Sequence, residues 1–263
     1  MRMPSPKKPG AVAPSEKRRG ATTRAKVPAE VKRALERGEL ETANLVEGLS
    51  IDFDILLQHI VPGAPRLLEV GIVKRMREAG SHLPEWQSFA GHPSDTVRGW
   101  AAYKLAETAM GHPRQLLPEM KRFAADAHFG VREWAWMAAR PTLAADLDAS
   151  LSELAQWSLH PDANVRRFAS EVTRPRGVWC AHLEPLKTQP SRALSILEPL
   201  RQDSSKYVRD SVANWLNDAA KSDAAWVSAL TSRWLLESNT EETRAIVKRG
   251  LRGLTGKTSR ARP

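Results

Sequence analysis

At 263 residues and 29.2 kDa the chain is long enough to bury a sizeable core, as one domain or as a run of stacked units. Its one cysteine, Cys180, excludes an intramolecular disulfide framework and fits a reducing, cytoplasmic setting; no stretch of about 18 apolar residues suggests a membrane span, and the first residues lack a signal-peptide core. The net charge of +10 sits in the tails: residues 1–27 carry eight Lys/Arg against Glu16 and residues 248–263 carry six with no acid, which leaves 28–247 at −3. A basic body is therefore excluded, and binding to a polyanion needs a local stripe of arginines.

Rich in Pro, Gly, Ser and charge, residues 1–27 and 255–263 are expected to be disordered basic tails, either loosely attractive to polyanions or solubilising. Residues 28–254 form the expected folded domain. Within it, AEVKRALERGE from Ala29, TANLVEGLSIDFDILLQHIV from Thr42 and PRLLEVGIVKRMREAG from Pro65 predict three helices, with Thr42 a candidate cap for the second. Pro84 is expected to open the next helix pair. Period-2 alternation is absent, so the predicted class is all-α.

Four segments then align on a Val-Arg pair, DTVRGWAAYKLAE, FGVREWAWMAARP, ANVRRFASEVTRP and KYVRDSVANWLND, beginning at Val97, Val131, Val165 and Val208. A weaker fifth copy is NTEETRAIVKRGLRGL. The spacings of 34, 34 and 43 residues predict a HEAT-like solenoid of paired helices. Three residues past each Val stand Trp100, Trp134, Phe168 and Ser211, followed by Ala101, Ala135, Ala169 and Val212. Large-then-small columns are what close packing requires, so Trp100, Trp134 and Phe168 are assigned to the core. His92 and His160 recur with the turns before the helices and are read as structural. No His/Cys cluster has metal-ligand spacing, and no cofactor is expected. The longer third spacing holds a proline-rich insertion, expected on one face of the solenoid.

At 100° per residue from each Val, Glu133 falls at about 200°, Glu171 and Asn214 at about 240° and Asp218 at about 280°. Three carboxylates and an amide from neighbouring units thus share one sector. The rise along the helix separates Glu133 from Asp218 by roughly 12 Å, so only superhelical stagger unites them. Fixed carboxylates suit cleavage of a C–N or C–O bond through a cationic, oxocarbenium-like transition state. Arg132, Arg166, Arg167, Arg174, Arg176 and Arg209 are candidate phosphate contacts, although a Val-Arg arginine that recurs in every unit equally suits pairing with a neighbouring repeat. Trp179, beside the proline break, offers an aromatic face to a cationic base or sugar, or simply packs the insertion.

The segments ALERGELETANLVEGLSIDFDILL (34–57), NVRRFASEVTRPRGVW (164–179) and YVRDSVANWLND (207–218) resemble the AlkC-type branch of the HEAT-repeat alkylpurine DNA glycosylases. The resemblance implies an enzyme that hydrolyses the N-glycosidic bond of alkylated, cationic bases such as 3-methyladenine in duplex DNA. It is expected to be monomeric, nucleoid-associated and free of membrane. It implies Glu171 as the main catalytic carboxylate, Asp218 and Glu133 as acidic partners, and Trp179 and Asn214 against the substrate. Arg174 and Arg176 would grip the flanking phosphates. Val172 stands where the family usually has Gly, and Gly177-Val178-Trp179 departs from its Leu-Pro-Trp-like sequence. Two alternatives stay open: a non-catalytic HEAT scaffold binding protein or nucleic acid, and a DNA groove whose chemistry is lost through Val172.

Overall fold

A computed structural model describes residues 18–254, and within them every regular element is helical. The helices are α1 (Ala29–Glu36), α2 (Leu45–Gly48), α3 (Phe53–Ile60), α4 (Ile72–Ser81), α5 (Asp95–Thr108), α6 (Pro113–Ala124), α7 (Phe129–Ala145), α8 (Leu147–Trp157), α9 (Ala163–Val172), α10 (Glu184–Thr188), α11 (Leu194–Leu197), α12 (Lys206–Ala220), α13 (Ala224–Glu237) and α14 (Glu241–Gly250). Helices α5, α7, α9, α12 and α14 pack one on the next as an inner row; α6, α8 and α11 form the outer row, and α13 rests on α12 and α14. This is the expected helical-repeat solenoid. The inner row is the set carrying the Val-Arg pairs.

The columns explain the stacking. Val97, Val131, Val165 and Val208 are all fully buried, as are Ala101, Ala135, Ala169 and Val212. Burial of each such valine contributes roughly 1.5–3 kcal/mol, and the small residue beside it lets the backbones approach. Trp100 and Phe168 fill the large positions as expected. Trp134 does not: it is half-buried and reaches the concave side.

The recurrent arginine has a single job in every unit. Arg98 Nη1 donates to the carbonyls of His92 and Pro93, Arg132 to Asp126 and Ala127, Arg166 to His160 and Pro161, and Arg209 to Asp203 and Ser204. Arg244 of the fifth copy reaches the Asn239 carbonyl in the same register. Each arginine thus clamps the turn that leads into its own helix. Where the turn begins with aspartate, the arginine of the previous unit also pairs with it, Arg98 with Asp126 at 2.9 Å and Arg166 with Asp203 at 2.6 Å. His92 and His160 accept the N–H two residues on, so both histidines are structural as expected. Arg166→Met is expected to cost about 2–3 kcal/mol, lowering the melting temperature by roughly 4–12 °C, because it leaves Asp203 and two carbonyls short of a donor.

Upstream the predicted helices are shorter. The second splits into α2 and α3, because Asn44 and Asp52 each cap a new start. Thr42 is no cap; its N–H and hydroxyl both donate to buried Asp95. The third begins only at Ile72, since Gly71 takes φ 91° and carboxylates hold the preceding loop. Pro84 opens no helix, only a 3-10 turn at Gln87–Phe89. The tail boundary at residue 27 also moves. Arg18 forms a bidentate pair with fully buried Glu47 at 2.6 Å, and Asn44 donates to the Ala21 carbonyl, so residues 18–21 are anchored on the body. Residues 1–17 and 255–263, the remainder of the expected tails, lie outside the described residues. Among the described residues no helix is long and apolar enough to cross a membrane, and no His/Cys/Asp/Glu group could hold a metal ion.

Candidate active site

The concave side holds a cleft of about 470 Å³. Phe53, Ile72 and Met76 line it together with Trp134, Trp179 and Tyr207. Glu133, Glu171 and Asn214 open into it, so the angular sector read from the wheel is a real surface.

The acids are joined by cations in strict alternation. Glu133 Oε1 lies 2.7 Å from Arg167 Nη2, which lies 3.4 Å from Glu171 Oε2. Glu171 Oε1 lies 2.7 Å from Arg174 Nη1, and the same guanidinium meets Asp218 Oδ2 at 2.7 Å through Nη2. Lys221 closes the series on Asp218 Oδ1 at 2.9 Å. Superhelical stagger supplies what the axial rise denied, through arginines rather than direct contact. Asp218 is buried behind Arg174 and does not line the cleft, so of the three acids expected to act together only Glu133 and Glu171 open into it.

Glu171 is the focus of this ladder. It is 4% exposed, and Ser211 Oγ donates to its Oε2 at 2.7 Å. Burial raises its carboxyl, but the charges of Arg167 and Arg174 and the hydrogen bonds from Arg174 and Ser211 outweigh burial and hold it below the ordinary carboxylate range. It is a permanently ionised group in a shielded place. Glu133 is more open, with its side chain 33% exposed and its Oε2 accepting from Trp136 Nε1 at 2.8 Å.

Trp179 is set by the insertion. Buried Arg140 donates to the carbonyls of Val172, Arg174 and Ala181, which folds the chain after α9 back on itself. Gly177 sits inside that fold; a Cβ there would meet Cys180 Sγ at 2.2 Å, so no side chain fits. Two residues on, Trp179 takes φ 61° and stands 55% exposed over the cleft. A non-glycine residue in the left-handed region costs about 1–2 kcal/mol, a strain typical of functional positions. Val172 is packed in the core at 1% exposure, so its departure from glycine leaves the cleft wall untouched.

Of the six arginines expected at phosphates, five are placed otherwise, Arg167 among them between Glu133 and Glu171. Arg174 braces Glu171 and Asp218, while Arg132, Arg166 and Arg209 are turn clamps. Each is held because a half-buried guanidinium must fill its donors locally. Arg176 alone is engaged lightly, donating to Ser222 Oγ while its Nε is buried without a partner. Asn214 lines the cleft but accepts from Arg252. Tyr207 and Asp210 were not singled out by the sequence, and Arg167 only as a phosphate contact. A usable signal existed, because the position two past each Val reads Gly99, Glu133, Arg167 and Asp210 down the units, acid and base alternating on one face.

Residues 131–252 match the DNA alkylation repair enzyme family. The matched segment contains Glu133, Arg167, Glu171, Arg174, Asp218 and Lys221, the whole charged ladder, and Trp179 beside it. The chain is similar to the Pseudomonas fluorescens alkylpurine DNA glycosylase AlkC, solved bound to DNA containing an abasic site analog. Their identity is 26% and the TM-score 0.51, over 77% of this chain and 52% of that one. It also shares its fold with AlkD2 from Streptococcus mutans, 20% identical with a TM-score of 0.54 over 70% of this chain and 84% of that one. The Bacillus subtilis (strain 168) protein YhaZ, itself uncharacterized, is 44% identical over 97 residues, 37% of this chain and 27% of YhaZ. The chain thus spans about half of the glycosylase and about a quarter of YhaZ.

Proposed function

We propose that this protein is a DNA glycosylase that hydrolyses the bond between deoxyribose and an N-alkylated, positively charged base such as 3-methyladenine. The observation that carries the reading is Glu171, an ionised carboxylate fixed between two arginines and opening onto an aromatic-walled cleft. As the C1′–N bond breaks, the bonding pair leaves with the base, which becomes neutral, and positive charge develops on the sugar. Glu171 stabilises that charge without having to reorganise. A carboxylate held this low is a poor proton donor, so the leaving base must bring its own charge, which suits alkylated bases and excludes ordinary ones. Glu133, nearer solvent, is placed to orient the attacking water, whose proton is lost to solvent. Trp134 and Trp179 offer π-faces to the cationic base. Arg176 is the phosphate contact this reading retains.

The bound DNA of the AlkC neighbour, with its abasic site analog, supports duplex DNA as the partner. A scaffold reading draws on one specific observation, that each acid of the ladder already faces a cation. The test is release of free 3-methyladenine from methylated duplex, followed by chromatography. Release with accumulation of abasic sites is expected. No release where a known glycosylase acts would leave the scaffold, and tight lesion binding without release would leave a groove without chemistry.

A further inference from the structure

The loop between α3 and α4 presents two aliphatic side chains to solvent, Leu68 and Val70, each 85% exposed. It is not a slack loop. Asp54 Oδ1 accepts from Leu67 N–H at 2.7 Å, and Glu78 accepts from Leu68 N–H at 2.8 Å and Glu69 N–H at 2.9 Å. Leu67 is 7% exposed and roots the loop in the core, and Arg75 pairs with Asp54 at 3.0 Å from below. Two carboxylates spent on backbone N–H groups hold an apolar tip outward, in a conformation fixed before any partner arrives. Lone exposed aliphatics are ordinary, but an adjacent pair on a braced tip is a surface built for contact.

Its surroundings say which contact. Arg66 is 86% exposed and Lys74 68% exposed by side chain, and Arg77 is exposed on the same helix. The acids nearby are engaged: Asp54 and Glu78 hold the loop, and Glu69 pairs with Lys74 at 3.4 Å. The loop also runs directly into Ile72 and Met76, which line the cleft. An apolar tip two residues from cleft-lining Ile72, flanked by exposed Lys74 and by Arg66, which reaches Asp54 only at 3.8 Å, fits a polyanion with an apolar interior, a stacked duplex.

We propose that Leu68 and Val70 form a wedge that enters a groove of duplex DNA and loosens base stacking beside the lesion, with Arg66 and Lys74 on the neighbouring phosphates. This rests on the proposed DNA reading. It adds a second point of contact beside that of Trp179, so that the duplex is bent and the sugar is turned toward Glu171. Unstacking costs least at a damaged step, so the wedge also favours lesions over intact DNA.

The experiment compares the full-length protein with the Leu68→Ser/Val70→Ser double variant on duplex carrying 2-aminopurine beside an abasic-site analog. Both residues are exposed, so the variant folds, and its melting temperature reports that. Wild-type protein is expected to raise 2-aminopurine fluorescence, and the variant to lose that rise and bind about tenfold more weakly. The slope of affinity against salt is expected to stay unchanged, because no cation is removed. Equal fluorescence and affinity in the two proteins overturns the wedge. Loss in the variant of binding to phosphatidylglycerol vesicles, with DNA binding intact, assigns the loop to lipid and overturns it also. Fluorescence rise without base release by wild-type protein keeps the wedge and removes the glycosylase reading, so the two failures are distinct.

Discussion

Glu171→Gln is expected to slow base release by about 10²–10³-fold, the usual cost of removing one fixed charge from a site of this kind. The amide has the size of the carboxylate and still accepts from Ser211. The fold is expected to survive, because Arg167 keeps Glu133 and Arg174 keeps Asp218. Affinity for uncleavable lesion DNA should therefore stay within about twofold, so that the loss appears in the single-turnover rate. The pH dependence follows from the same geometry. A carboxyl lowered in the folded state stays ionised above the ordinary carboxylate range and is lost only as pH falls through its depressed value. Release by wild-type protein should be flat with respect to Glu171 from roughly pH 5 to 8. A Glu171→Gln protein as fast as wild type would return the ladder to a purely structural role.

Arg174→Met is expected to have the largest effect on stability, about 3–5 kcal/mol, because it strands Glu171 and Asp218 with one cation fewer. Burial opposes the Arg174 charge, but the two facing carboxylates outweigh it and keep it cationic. The variant should melt about 10 °C or more below wild type. It should also release base slowly, since Glu171 loses a group that fixes its position. Without Arg174 the Glu171 carboxyl rises toward protonation, so the stability gap should narrow as pH falls into the ordinary carboxylate range. Adding Asp218→Asn should restore part of the loss, which thermal unfolding of the double mutant measures as a coupling energy. Strictly additive losses would show that Arg174 and Asp218 act independently.

Periodicity made the solenoid legible. The Val and Ala columns carry packing that each unit must satisfy for itself, and the turn histidines repeat with the same register. The wheel also found the correct face, since Glu133, Glu171 and Asn214 all reach the cleft. Pairing across units is what it could not supply. A wheel places Asp218 in the sector without revealing that Arg174 stands in front of it, and it cannot tell an arginine aimed at solvent from one closing a turn. Trp134 was misread for a related reason, since the large-residue column is core only where the next unit covers it. The loop before α4 was read as helix because LLEVGIV is apolar, whereas Gly71 and the two bracing carboxylates decide its path.

One aromatic ring has reach beyond its own unit. Tyr207, at the start of α12, lies under the guanidinium of Arg132 from α7 at 5.1 Å and of Arg167 from α9 at 4.4 Å. Arg132 thereby passes over the intervening repeat to touch the one after it. A tie between the first and third of three stacked units is a chord drawn inside an arc, and a chord of fixed length sets the curvature. A single phenol and two cations thus add a restraint on the width of the hollow to that of the packed columns, and trimming Tyr207 would let the coil relax toward a wider bore.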